Sequence, residues 1–146
     1  MAQSMKDALS AFDPAGAAVY EANHAALVRD IVTTFEDLKR DLAPLAGSTV
    51  LVYHPAFGYF LDEFGLNQEA VETGGKEPTQ KALAAMMDKA RAYKIRTIFV
   101  QAQFPTTAAT TVAKAIGGSV LTIDPLAPDW LDNLRRMGAA LKEGLR

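Results

Sequence analysis

The sequence predicts an α/β fold: a four-stranded parallel sheet flanked by helices, preceded by one long helix. Three observations carry that expectation. Short β-branched apolar runs alternate with helix-period segments from residue 49 onward, and parallel strands need such intervening crossovers. A stripe of Val28, Ile31, Phe35, Leu38, Leu42 and Leu45 steps by three and four residues ahead of the first strand. The 146 residues, 49% hydrophobic and with a net charge of −2, suit one folded domain rather than a disordered chain.

Taken in order, residues 1–12 hold a short amphipathic turn or two through Met5, Ala8, Leu9 and Phe12. Asp13-Pro14 then reads as a helix start, Asp capping and Pro at the first helical position. The helix is expected from about residue 14 to about 43, on the order of 45 Å long, ended by Pro44 and Gly47. It is overlong for so small a domain. Its Ala-rich first half is apolar on more than one face, which calls for a partner surface.

After Gly47 the period changes. Thr49–Tyr53 is the first strand, suited to cover on both faces. Ala56–Phe64 reads as a short helix closed by Gly65, and Glu69–Glu72 as a weaker strand. The polar loop from Thr73 to Pro78 leads into a helix over Thr79–Lys94. Ile95–Val100 is the third strand, Thr106–Ile116 a helix, Val120–Ile123 the fourth strand, and Trp130 to about Leu145 the last helix. The expected organisation is residues 1–46 as the turn and long helix, and 47–146 as the α/β lobe.

Composition narrows the function. The 15 Lys and Arg are scattered among 17 acids with no basic run, which disfavours nucleic acid as a partner. No stretch approaches the roughly 18 apolar residues needed to span a bilayer. Cysteine is absent, which removes disulfides, thiolate zinc sites and cysteine nucleophiles together. The first residues are polar and lack a signal-peptide core, so the chain taken alone reads as cytoplasmic.

Ligands of open α/β sheets bind beyond the carboxyl ends of the strands, so the residues just after each strand are the candidates. These are His54-Pro55, then Thr73 to Glu77, then Gln101-Ala102-Gln103, then Asp124-Pro125. Imidazole and carboxylate at equivalent strand ends are both good zinc donors. Singly, each has a plainer reading: a histidine behind a strand serves as a hydrogen-bonded structural residue, and Asp before Pro forms turns. Only their joint placement points to a metal, and zinc normally takes three or four protein ligands. His24 lies mid-helix and reads as surface or interface. No phosphate-binding Gly-x-x-x-x-Gly-Lys-Ser/Thr, no Gly-x-Gly-x-x-Gly after a strand and no serine elbow is present. Nothing in the spacing of Glu63 and Glu77 brings them together as an acid/base pair, and Phe57, Tyr59, Phe60 and Phe64 read as packing residues.

Five stretches together resemble a known family. They are Asp13-Pro14 through Tyr20 and Asn23 to Leu38; His54–Phe60 closing with Phe64-Gly65-Leu66; Gly75–Thr79; Phe99–Phe104; and Leu121–Leu126. The set resembles the zinc/manganese-binding solute-binding component of bacterial ABC importers, the ZnuA/TroA type. The resemblance implies the C-terminal lobe of a two-lobed receptor, with the metal held between lobes and the long helix as the interlobe backbone. It matches His54 to the third metal ligand and Asp124 to the fourth, the first two belonging to a lobe with no counterpart here. Histidine at the third position implies zinc rather than manganese, in keeping with its softer donor. Glu77 and Gln101 become candidate partners behind the ligands.

The resemblance further implies a non-enzymatic protein that delivers a divalent metal to a membrane permease, in a periplasmic or membrane-anchored location. The absence of a signal is then reconciled if the chain is a half, its signal and first lobe lost. A bare interlobe face predicts a homodimer through residues 1–43. Two readings stand against this one: a small α/β metal-dependent hydrolase using His54 and Asp124, and an interaction module acting through the long helix.

Overall fold

The computed structural model describes residues 1–72, 79–103 and 106–145, apart from the side chain of Ala108. The chain divides into two compact units, Met1–Asp37 and Leu38–Arg146.

The first unit opens with helix α1, Ala2–Phe12, three turns where the sequence suggested one or two. Nothing between Gln3 and Phe12 breaks a helix, and Gln3 donates to Asp7 one turn on at 2.8 Å. It stops where Pro14 disfavours helical geometry in the residue before it. Asp13 does act as the cap of the next helical segment, accepting from the Gly16 amide at 3.3 Å and from the Tyr20 hydroxyl at 2.9 Å. The first turn, Pro14–Gly16, is a 3₁₀ turn, and helix α2 runs from Ala17 to Leu42. Its 26 residues span about 39 Å. The expected stripe changes character along it: Val28, Ile31 and Phe35 are 37–39% exposed, whereas Leu38 and Leu42 are buried.

In the second unit, strands β1 (Thr49–Val52), β2 (Asn67–Ala70), β3 (Thr97–Gln101) and β4 (Ser119–Ile123) form one parallel sheet in the order β2-β1-β3-β4. Helices α3 (Gly58–Glu63), α4 (Gln80–Ala92), α5 (Thr107–Ala115) and α6 (Trp130–Gly144) supply the crossovers and the closing element. Alternation along the strands sorts the core into two layers. Val50, Val52, Phe99 and Ile123 pack with Leu38, Leu42, Leu61, Met137 and Leu141 on one face. Leu51, Ile98 and Val100 pack with Ala90, Ala109, Val112 and Ala113 of α4 and α5 on the other. All five β3 positions are buried, as a central strand covered on both faces requires.

β2 lies two residues earlier than the apolar content of Glu69–Glu72 suggested. It is an edge strand, and the edge tolerates Asn67, Gln68 and Glu69 because one side of the strand meets water. The ladder nonetheless continues past it: the Val71 amide donates to the Val52 carbonyl and the Glu72 amide to the Tyr53 carbonyl, each at 2.9 Å.

The start of β4 depends on a close backbone approach. The Ser119 amide donates to the Arg96 carbonyl at 2.7 Å. A Cβ on Gly118 would stand 2.0 Å from that same carbonyl oxygen, and backbone cannot yield as a side-chain tip can. Gly118→Ala is therefore expected to cost about 1–3 kcal/mol of stability, read as a lower urea midpoint with unchanged m-value. An unchanged midpoint would show that the approach is not tight.

Candidate functional site

The crossover from β1 to β2 carries α3 on one face of the sheet, while that from β3 to β4 carries α5 on the opposite face. Adjacent strands β1 and β3 therefore part in opposite directions, which opens a crevice at their carboxyl ends. His54 comes just after β1 and Gln101 ends β3, so both flank this switch point.

Register then brings three residues to this edge. Val52 is level with Ala70 on β2 and with Phe99 on β3. Two residues further along in sequence come Glu72, His54 and Gln101; Gln101 ends β3, and the other two lie just past the ends of β2 and β1. The first two are hydrogen-bonded: His54 Nδ1 lies 2.8 Å from Glu72 Oε2. Glu72 is 7% exposed and His54 33%. Gln101 is 5% exposed, and its Oε1 is a buried acceptor with no partner among the described residues. The loop behind His54 is pinned, the Ala56 amide donating to the His54 carbonyl at 2.9 Å and the Phe57 amide to Gln68 Oε1 at 3.0 Å.

Asp124 comes just after β4, one strand beyond Gln101. Phe99 is level with Leu121, so Asp124 stands three residues past the common level and His54 two. Both are at the same edge of the sheet, on strands separated by two inter-strand spacings, or about 10 Å. The Asp124 carboxylate is oriented by two donors to Oδ1, Gln103 Nε2 at 2.8 Å and the Leu126 amide at 2.9 Å. The second closes an Asx turn, so the plain turn-forming role is realised as well. Asn133 secures the segment from below by donating to the Asp124 carbonyl. Asp124 lines an open cleft of about 300 Å³ with Thr122, Asn133 and Arg136. A larger cleft of about 670 Å³ lies at the amino edge of the sheet, lined by Ser48, Thr49, Arg91 and Arg96 among others. It holds none of the candidate residues. Arg91 is spent there on the Ala115 carbonyl at the end of α5, 2.8 Å away.

The geometry thus pairs His54 with Glu72 and Asp124 with Gln103. Among the described residues no group of three or more His, Asp or Glu side chains stands where it could hold a metal. His24 is half-buried on α2. Glu77, the other candidate partner behind the ligands, lies outside the described residues. Glu72 was read from sequence only as part of a strand. Its spacing to His54 carries no local signal, because the contact arises from register between strands 18 residues apart.

Fold and site edge together define an α/β unit with its polar residues at the carboxyl edge of a parallel sheet. Comparison with known proteins gives the family. The model for the zinc-uptake complex component A, periplasmic (ZnuA), matches residues 1–144, and the chain belongs to that family. The chain is 38% identical over 85 residues to the high-affinity zinc uptake system protein ZnuA of Paracoccus denitrificans, covering 57% of this chain and 26% of that protein. It is 27% identical over 126 residues to the zinc-binding protein AdcA of Streptococcus pyogenes, covering 85% of this chain and 24% of that one. A crystal structure of ZnuA superposes with a TM-score of 0.92 at 30% identity, over 99% of this chain and 56% of that one. The laminin-binding protein Lmb of Streptococcus agalactiae, described as a bifunctional adhesin with metal-transporting activity, gives 0.84 at 25% identity, over 97% and 58%. The chain therefore spans about a quarter of these curated relatives and little more than half of the solved chains.

The Asp124 carboxyl sits below its ordinary value of 3.8, chiefly because the Gln103 amide donates to it, then through the Leu126 amide and the nearby Arg136 charge, with partial burial opposing. A pKa depressed in the folded state stabilises the fold above the ordinary value, and that contribution is lost as pH falls through the lower one. Gln103→Ala is expected to raise the Asp124 pKa toward 3.8, measured by carboxyl-carbon NMR titration. A pKa that stays low in the variant would transfer the effect to the backbone amide.

Proposed function

We propose that this chain is a metal-binding lobe of an ABC-importer solute-binding protein, a non-enzymatic receptor that captures zinc in preference to manganese and hands it to a membrane permease. The observation that carries the reading is the shared strand edge of His54 and Asp124, each already oriented by a neighbouring side chain. His54 would donate a ring nitrogen and Asp124 a carboxylate oxygen, with Gln101 behind them offering its buried acceptor to a group carried in with the ion. The relatives named for zinc uptake and zinc binding support zinc as the cargo, and imidazole favours it over manganese. Two ligands leave zinc half coordinated, so the rest of the shell belongs to another part of the receptor. Location outside the cytoplasm is in keeping with the family; no described helix is long and apolar enough to cross a membrane. The relatives named for zinc uptake favour the receptor over the hydrolase reading.

The exposed apolar residues of the first unit, Leu9, Phe12, Val28, Ile31 and Val32 among them, support self-association of the chain through residues 1–43. Sedimentation equilibrium is expected to show a dimer that dissociates on dilution; a monomer throughout a wide concentration range would rule it out.

Zinc titration by calorimetry tests the site. Weak binding is expected for the unaltered chain, reduced by about 10–100-fold or more in both His54→Ala and Asp124→Ala. Tight one-to-one binding that survives either substitution would overturn the assignment.

A further inference from the structure

We propose that Glu72 is the positioning residue for His54: it accepts a hydrogen bond from Nδ1–H, and so fixes the ring in the tautomer whose lone pair is on Nε2. The inference adds to the receptor reading a residue that composes the site without touching the cargo, and its link to zinc rests on that reading.

The geometry carries it. The contact is 2.8 Å between Nδ1 and Oε2, the length of a full hydrogen bond. An ionised carboxylate only accepts, so the ring nitrogen facing it is the one that carries the proton. A neutral imidazole has a single N–H, and placing it on Nδ1 leaves Nε2 as the basic nitrogen. The Glu72 backbone is held in turn: its amide is committed to the Tyr53 carbonyl at 2.9 Å, which keeps it beside the segment that carries His54. At 7% exposure the carboxylate has little water to compete for it, whereas the ring, at 33%, keeps an outer edge toward solvent. A buried carboxylate on a sheet edge is costly unless hydrogen-bonded, and among the described residues His54 is a partner that offsets the cost. The arrangement matches the general rule that a metal-ligating imidazole donates its other N–H to a carboxylate, which orients the ring and raises its basicity.

The test does not need metal. The chain has two histidines, so a two-bond proton–nitrogen correlation spectrum of the ¹⁵N-labelled protein resolves both rings, with His24 as the internal comparison. In buffer at about pH 9, well above the ordinary imidazole value near 6.5, His54 is expected in the Nδ1–H form. Glu72→Gln keeps an acceptor oxygen in nearly the same shape and is expected to retain that form. Glu72→Leu removes the acceptor and is expected to move His54 toward the Nε2–H form. An Nε2–H ring in the unaltered protein, or a tautomer indifferent to Glu72→Leu, would overturn the proposal. The unaltered protein and Glu72→Gln decide the matter even if Glu72→Leu does not fold. In zinc calorimetry, Glu72→Leu is expected to lose about 10–100-fold in affinity and Glu72→Gln less. Affinity unchanged by Glu72→Leu but lost in His54→Ala would refute the positioning role. Zinc binding indifferent to His54→Ala would instead refute the receptor reading, leaving the tautomer result to stand or fall by itself.

Discussion

The parallel ladder running from β2 through β1 and β3 to β4 is the constraint on which the rest of this structure depends. Parallel strands share one carboxyl edge, so the residues after each strand are all delivered to the same side of the molecule. α3 and α5 leave β1 and β3 on opposite faces, so the chain parts in opposite directions where His54 and Gln101 stand. Both faces of the sheet are covered by helices, and the central strand is buried throughout. At the carboxyl edge, by contrast, Glu72 and Gln101 are polar side chains withdrawn from water.

The two residues singled out for chemistry are held in different ways. His54 is oriented by a buried carboxylate on the neighbouring strand, a cross-strand contact that exists only while the register holds. Asp124 is oriented locally, by an Asx turn to Leu126, and by the Gln103 amide from the turn after β3. Loss of sheet register would release the imidazole while leaving much of the turn around the carboxylate intact. Their separation across two strand spacings means that the two side chains can approach a common point only by reaching toward each other along the edge.

Much of the fold was legible in the residues. The switch from period 3.6 to short β-branched runs at Thr49 placed β1, and Thr97–Gln101 and Ser119–Ile123 fell within a residue or two of expectation. Two elements were less legible. The edge strand Asn67–Ala70 is polar, because an edge is not obliged to be apolar, and its apolar neighbour Val71 drew the expected boundary too late. Helix α1 was underestimated because its amphipathic signal is short, although nothing in Ala2–Phe12 opposes helix.

The sequence by itself determined the fold class, the family resemblance and the two strand-end candidates, His54 and Asp124. Those properties are written in local periodicity and in short motifs, which need no knowledge of what lies across the sheet. Only the tertiary structure decided that Glu72 faces His54, that Gln101 carries a buried acceptor with no partner among the described residues, and that Gln103 secures Asp124. The reason is physical: contacts such as that of His54 with Glu72 join residues 18 apart in the chain, and the pairing of neighbouring strands that brings them together carries no local signal.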